Sequence, residues 1–174
     1  MMRKTLGRAA LGAALLGAAA ALSCLPADSA APSIGKRAPE YGGTTLQGDS
    51  VSLGSMEGKV VLLNLWATWC APCRHETPFL QSLYEERKGD GLEIVGISMD
   101  TGDAAELVGE FVGEYGVTYT ILLDPQMRGM ELYQVLGLPA TFLIDREGTL
   151  TWMRFGPVSE TDTDFLTALE ATLE

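Results

Sequence analysis

Two cysteines, Cys70 and Cys73, stand two residues apart in the run Trp66-Ala67-Thr68-Trp69-Cys70-Ala71-Pro72-Cys73-Arg74. On the first turn of a helix, that spacing brings the two sulfurs within bonding distance. The first sulfur then sits at the helix N-terminus, where unpaired backbone N–H groups and the positive end of the helix dipole stabilise a thiolate. The thiolate is the attacking species in thiol–disulfide exchange, so Cys70 is placed to form a mixed disulfide and Cys73 to resolve it. Two other uses of the pair are weaker. A zinc site takes four ligands, usually from two such pairs. Apart from Cys24, only His75 remains as a Cys or His ligand, and it points away on a helix. An inert structural disulfide gains little entropy from closing so small a loop. Neither a metal nor a cofactor is expected.

The elements around the pair follow from the hydrophobic pattern. Residues 44–46 and 51–53 flank Gln47-Gly48-Asp49-Ser50 and read as a hairpin. Residues 60–66 form a nearly continuous apolar run, which suits a strand covered on both faces and feeding directly into the cysteines. A helix is expected from about Cys70 to Lys88, with Pro72 in its first turn and Pro78 as an interior kink. Residues 93–98 read as a strand and 103–115 as a helix with Leu107, Phe111 and Val112 towards the core. Residues 118–123 read as a strand and 126–136 as a short helix ended by Gly137. Strands over 141–144 and 149–155 flank the turn Asp145-Arg146-Glu147-Gly148. A closing amphipathic helix spans about 160–173, with Phe165, Leu166 and Leu169 facing the sheet. Alternating strands and helices followed by a hairpin and a helix imply an α/β domain with a mixed sheet flanked by helices.

The N-terminus has a different character. Arg3, Lys4 and Arg8 precede the uncharged Ala, Leu and Gly run 9–22, which is short for a membrane span of ~20 residues and fits a secretory signal. The run ends in Ala21-Leu22-Ser23-Cys24, which resembles a bacterial lipoprotein cleavage box, so residues 1–24 are expected to be a signal with Cys24 lipidated. Cleavage near Ala27–Ala31 and an uncleaved anchor are the alternatives. Residues 25–36, rich in Ala, Ser and Pro, read as a linker, and 37–174 as the folded domain. All three readings put that domain outside the cytoplasm, where disulfides persist. The whole chain carries −11; without the three signal cations, 9 basic residues face 23 acidic ones, a balance of −14. Such a body repels nucleic acid and anionic lipid heads.

The block from Asn64 to Pro78, together with Gly137-Leu138-Pro139-Ala140-Thr141-Phe142, strongly resembles the thioredoxin superfamily, and in particular its exported, membrane-tethered TlpA/ResA-like branch. The resemblance covers about residues 37–174. It implies a thioredoxin-like fold with an N-terminal hairpin and a central helix–strand insertion over 103–123. It also implies a cis peptide bond before Pro139 in a loop facing the cysteines, with the backbone at Leu138 pairing with a partner's chain. Glu76, three residues after Cys73, matches a glutamate that lies by the active site in that branch, where it would accept or relay the proton of Cys73. Asn64 stands where cytoplasmic thioredoxins have a buried aspartate, which shifts the acid–base work to Glu76 or water. Trp69 is expected to shield the pair and offer a flat apolar contact. Trp66 is expected in the core, Arg74 and His75 on an exposed helix surface, and Met127, Met130 and Met153 as core filling rather than copper ligands.

The function implied is a thiol–disulfide oxidoreductase, extracytoplasmic and lipid-anchored to the outer face of the cytoplasmic membrane, or secreted if unanchored. Ala-Pro between the cysteines lacks the histidine common in strong oxidants and leans towards a protein-disulfide reductase. The resemblance implies disulfide-bearing exported proteins as substrates, including haem-attachment cysteines of apocytochrome c or cysteines of copper sites. It implies a membrane thiol carrier as the electron source. A dithiol oxidase or isomerase, a peroxiredoxin-type peroxidase and a non-catalytic metal-binding assembly factor are the alternatives. Against the peroxidase stand the close cysteine pair and Trp69.

Overall fold

The computed structural model describes residues 31–174; the expected signal 1–24, with Cys24, lies outside the described residues. The described residues form seven strands, β1 (Gly42–Thr45), β2 (Ser50–Ser52), β3 (Val60–Trp66), β4 (Leu92–Ser98), β5 (Thr120–Leu123), β6 (Ala140–Ile144) and β7 (Leu150–Phe155). Among the described residues three α-helices lie between strands, α1 (Ala71–Arg87), α2 (Ala104–Tyr115) and α3 (Arg128–Leu132), and a fourth, α4 (Thr163–Leu173), follows β7. One mixed sheet runs in the order β2-β1-β5-β4-β3-β6-β7.

The centre of this sheet positions the cysteines. β3 is buried at every residue, as its apolar run, interrupted only by Asn64, requires of a strand covered on both faces. It pairs in parallel with β4 from Val60↔Leu92 to Trp66↔Ser98, and antiparallel with β6 from Val61↔Ile144 to Leu65↔Ala140. The C-terminal ends of β3 and β4 and the start of β6 therefore meet at one sheet edge. Three connections leave from that edge: the turn into Cys70, the loop after Ser98, and the loop through Leu138 and Pro139. Rings on α1 and α4 meet at Phe79 and Phe165, 6.0 Å apart, and Phe165 packs 5.4 Å from Trp152 of β7.

Several expectations need correction. In α2 the buried residues are Ala104, Val108 and Phe111, whereas Leu107 is 45% exposed and Val112 only half-buried. Apolar residues at 107, 108, 111 and 112 allow two adjacent stripes, and contact of Phe111 with Trp66, at 4.7 Å between rings, selects one. The helix expected over 126–136 is only Arg128–Leu132. Met127 and Gln134, both with left-handed backbone (φ 58 and 52), bracket it. Beyond it the chain alternates, burying Tyr133 and Val135 while Leu136 is fully exposed. Met127, expected in the core, is 40% exposed; Met130 and Met153 do pack against it. Of the expected linker, residues 25–30 lie outside the described residues, whereas Gly35 and Lys36 exchange backbone hydrogen bonds with Leu150 and Arg37 bridges to Thr149, so residues 35–37 lie along the outer edge of β7.

Candidate active site

Cys70 is the N-cap of α1, with extended backbone (φ −83, ψ 105), and its Sγ accepts the N–H of Cys73 at 3.3 Å. One of the four unpaired donors of the helix start is thereby aimed at the sulfur. Pro72 lies in the first turn, where its missing N–H costs no hydrogen bond. Cys70 and Cys73 are joined as a disulfide. Cys70 is 6% exposed and Cys73 fully buried, so of the two only the first residue reaches the surface. Trp69 beside it is 66% exposed, an indole turned to solvent at the mouth of the site.

Behind the pair lies a buried polar cluster. Glu76 is 3% exposed and sits on the buried side of α1 with Cys73 and Thr77. Its Oε1 accepts Asn64 Nδ2 at 2.9 Å, and its Oε2 accepts the Val158 N–H at 3.0 Å. Asn64 also donates to Thr141 Oγ1 at 3.1 Å, so both hydrogens of its buried amide have acceptors. Burial raises the Glu76 carboxyl to about 7, outweighing the two donors, which favour the charged form.

The turn before Cys70 is held from two sides. Asp100, just past β4 and 1% exposed, accepts the Thr68 N–H at 3.0 Å, Thr68 Oγ1 at 2.6 Å and Ser98 Oγ at 2.8 Å. The Thr68 carbonyl accepts Arg74 Nη1 at 3.4 Å. Arg74 is thus not the free surface residue expected. Its guanidinium stacks 5.3 Å from the Phe111 ring and 5.4 Å from that of Tyr115, and its other edge meets Glu114 at 3.6 Å. His75 is exposed and Trp66 is core, both as expected.

On the third side, the Leu138–Pro139 peptide bond is cis. Pro139 is buried, its carbonyl accepts the Gly156 N–H at 2.8 Å, and Leu138 is half-buried. An open groove of about 470 Å³ runs between this loop and the end of β7, lined by Leu136, Leu138, Pro139 and Phe155 among others. Leu136 and Phe155 are exposed apolar side chains flanking it.

The structure therefore brings Trp69, Cys70, Cys73, Glu76, Leu138 and Pro139 to one sheet edge, and Asn64 with them. Sequence reasoning missed Asp100, Thr68, Leu136, Phe155 and the Val158 amide. A lone acid after a strand has no spacing signal, and a backbone N–H has no sequence signature at all. Among the described residues, no group of three or more His, Cys, Asp or Glu could hold a metal ion, and no helix is long and apolar enough to cross a membrane.

Residues 34–153 match the model of the AhpC/TSA family. The thiol-disulfide oxidoreductase ResA of Bacillus thuringiensis (strain Al Hakam) is 39% identical over 122 residues, 70% of this chain and 69% of the relative. A Chlorobium tepidum structure assigned as thiol:disulfide interchange protein DsbE is 28% identical with a TM-score of 0.76, covering 83% of this chain and all of that one. A secreted thiol-disulfide isomerase from Corynebacterium glutamicum is 27% identical with a TM-score of 0.69, over 78% of this chain and 84% of the other.

Proposed function

Since the chain belongs to the AhpC/TSA family and is a thiol–disulfide oxidoreductase of the ResA kind, we propose that it reduces disulfides in exported proteins through Cys70 and Cys73. The observation that carries this reading is the asymmetry of the pair. Cys70 Sγ caps α1 and borders solvent, while Cys73 is sealed behind it with Glu76 on the same face of the helix.

In the dithiol form the Cys70 thiolate attacks a substrate disulfide. One substrate sulfur bonds to Cys70 and the other leaves as a thiolate. Trp69, Leu138 and Pro139 line the approach, and the free backbone of Leu138 pairs with the substrate chain. Glu76 takes the proton of Cys73, whose thiolate attacks Cys70 Sγ. The Cys70–Cys73 disulfide forms and the substrate leaves as a dithiol. Two electrons from a membrane thiol carrier then restore the enzyme. The apolar export segment with Cys24 supports a site of action outside the cytoplasm, anchored by lipid to the outer face of the membrane, with 37–174 as the working domain. Haem-attachment cysteines of apocytochrome c fit as substrates because they are exported and must be reduced before haem is joined.

The test is capture. Cys73→Ser should leave Cys70 bonded to its natural partners, which mass spectrometry of envelope proteins then names. Adducts forming with Cys70→Ser instead would exchange the roles of the two sulfurs. An equilibrium potential near that of strong oxidants, roughly −120 mV, would remove the reductase direction.

A further inference from the structure

Asp100 is a buried carboxyl that none of the exchange steps uses. Taking such a group out of water is costly unless hydrogen bonds replace the lost hydration. Asp100 obtains three, two of them from Thr68 alone, one through the backbone N–H and one through the hydroxyl. Thr68 lies in the turn Ala67–Cys70, closed by the Cys70 N–H on the Ala67 carbonyl at 3.1 Å. Ser98 steadies the carboxyl in turn, since its Oγ both donates to Asp100 Oδ2 and accepts the Asp100 N–H at 3.1 Å. Arg74 holds the Thr68 carbonyl from the opposite side while stacked on α2. Every polar group of Thr68 apart from the lone pairs of its hydroxyl is thus committed, and the next two residues are Trp69 and Cys70.

We propose that Asp100 is a positioning residue of the exchange reaction: through Thr68 it fixes the turn that presents Trp69 and Cys70, and so sets the attack geometry of the Cys70 sulfur. Sub-ångström placement matters because disulfide exchange needs the attacking sulfur in line with the bond it breaks, and misplacement by about 1 Å costs rate up to a hundredfold. The inference rests on exchange at Cys70–Cys73 and is independent of its direction and of the natural substrate.

The test uses the full chain, reduced, with a disulfide-bearing model peptide. In the Cys73→Ser background the rate of mixed-disulfide formation reads the attack step alone, and melting curves give the folded fraction for each variant. Asp100→Ala should slow attack about tenfold or more per folded molecule. Asp100→Asn, whose amide oxygen still accepts the Thr68 N–H, should recover part of that rate. Thr68→Val should lose a similar amount, and the Asp100→Asn/Thr68→Val double variant should be no slower than the slower single one, because both act through one contact. Should Asp100→Ala fail to fold, Asp100→Asn and Thr68→Val carry the comparison. Wild-type attack rates in these variants, or losses that multiply in the double variant, overturn the role of Asp100. An unmutated chain that exchanges with no disulfide overturns the reading of the pair itself, a separate outcome.

Discussion

Glu76 shows how far one residue's chemistry depends on what surrounds it. Each of its oxygens has a donor, from Asn64 and from the Val158 amide, yet burial dominates and lifts the carboxyl from 4.5 to about 7. In the unfolded chain the group ionises near 4.5, so between these two values only the folded form holds the proton. The neutral buried carboxyl therefore contributes stability that is complete below about pH 4.5 and lost as pH rises through 7, about 3 kcal/mol in all. Urea unfolding between pH 5 and 8 should show wild-type stability falling with pH and Glu76→Gln nearly flat from this source. Equal slopes would remove the raised value. The same variant should lose an inflection near pH 7 in the rate at which Cys73 resolves a mixed disulfide, measured by stopped flow after attack. A resolving rate unchanged from wild type would leave Glu76 as a purely structural acid.

At the scale of elements, the site depends on how closely β3, β4 and β5 and their covering side chains approach one another. Among the described glycines, Gly96 in β4 is the most tightly enclosed. A Cβ there would lie 2.8 Å from Ile121 Cδ1, 2.9 Å from Trp66 Nε1 and 3.3 Å from a Tyr119 ring carbon. All three neighbours belong to the packed core, so relief requires moving Trp66, whose ring packs at a tilt against Phe111 of α2. Gly96→Ala should cost about 1–3 kcal/mol in chemical denaturation. A stability equal to wild type would mean that the core yields there freely. The elements themselves were largely legible. The nearly continuous apolar run of β3 reads as a buried strand, and the hairpin residues Asp145 and Gly148 did what their types suggest. Asp145 accepts the Glu147 and Thr149 N–H groups, and Gly148 turns the chain at φ 82. The rotation of α2 and the brevity of α3 were not legible. Adjacent apolar residues leave a helical stripe ambiguous, and left-handed backbone at Met127 and Gln134 carries no residue-type signal.

For the molecule as a whole, charge is the dominant long-range property. A chain carrying −11 attracts cations from a distance set by ionic strength. A basic disulfide peptide should therefore be attacked on the order of tenfold faster at about 20 mM salt than at 500 mM, and an acidic peptide of the same length should show the opposite trend. Salt-independent kcat/KM for both would show that the acidic surface faces away from the approach to Cys70. The backbone pairing of residues 35–37 along β7 was invisible in composition, because a stretch rich in Ala, Ser and Pro reads as tether whether or not a sheet edge is free to receive its backbone.

The residues alone determined the reactive pair and its strand-to-helix setting, because spacing in a helix and apolar periodicity are local properties. Only the tertiary structure decided what stands around that pair. Glu76 becomes a raised carboxyl, and Asp100 a clamp on Thr68, through partners from 12 to 82 residues away. Leu136 and Phe155 become the rims of one groove through the pairing of Ala140 with Phe155 across β6 and β7. Desolvation and long-range hydrogen bonding depend on which segments meet, and no window of neighbouring residues contains that information.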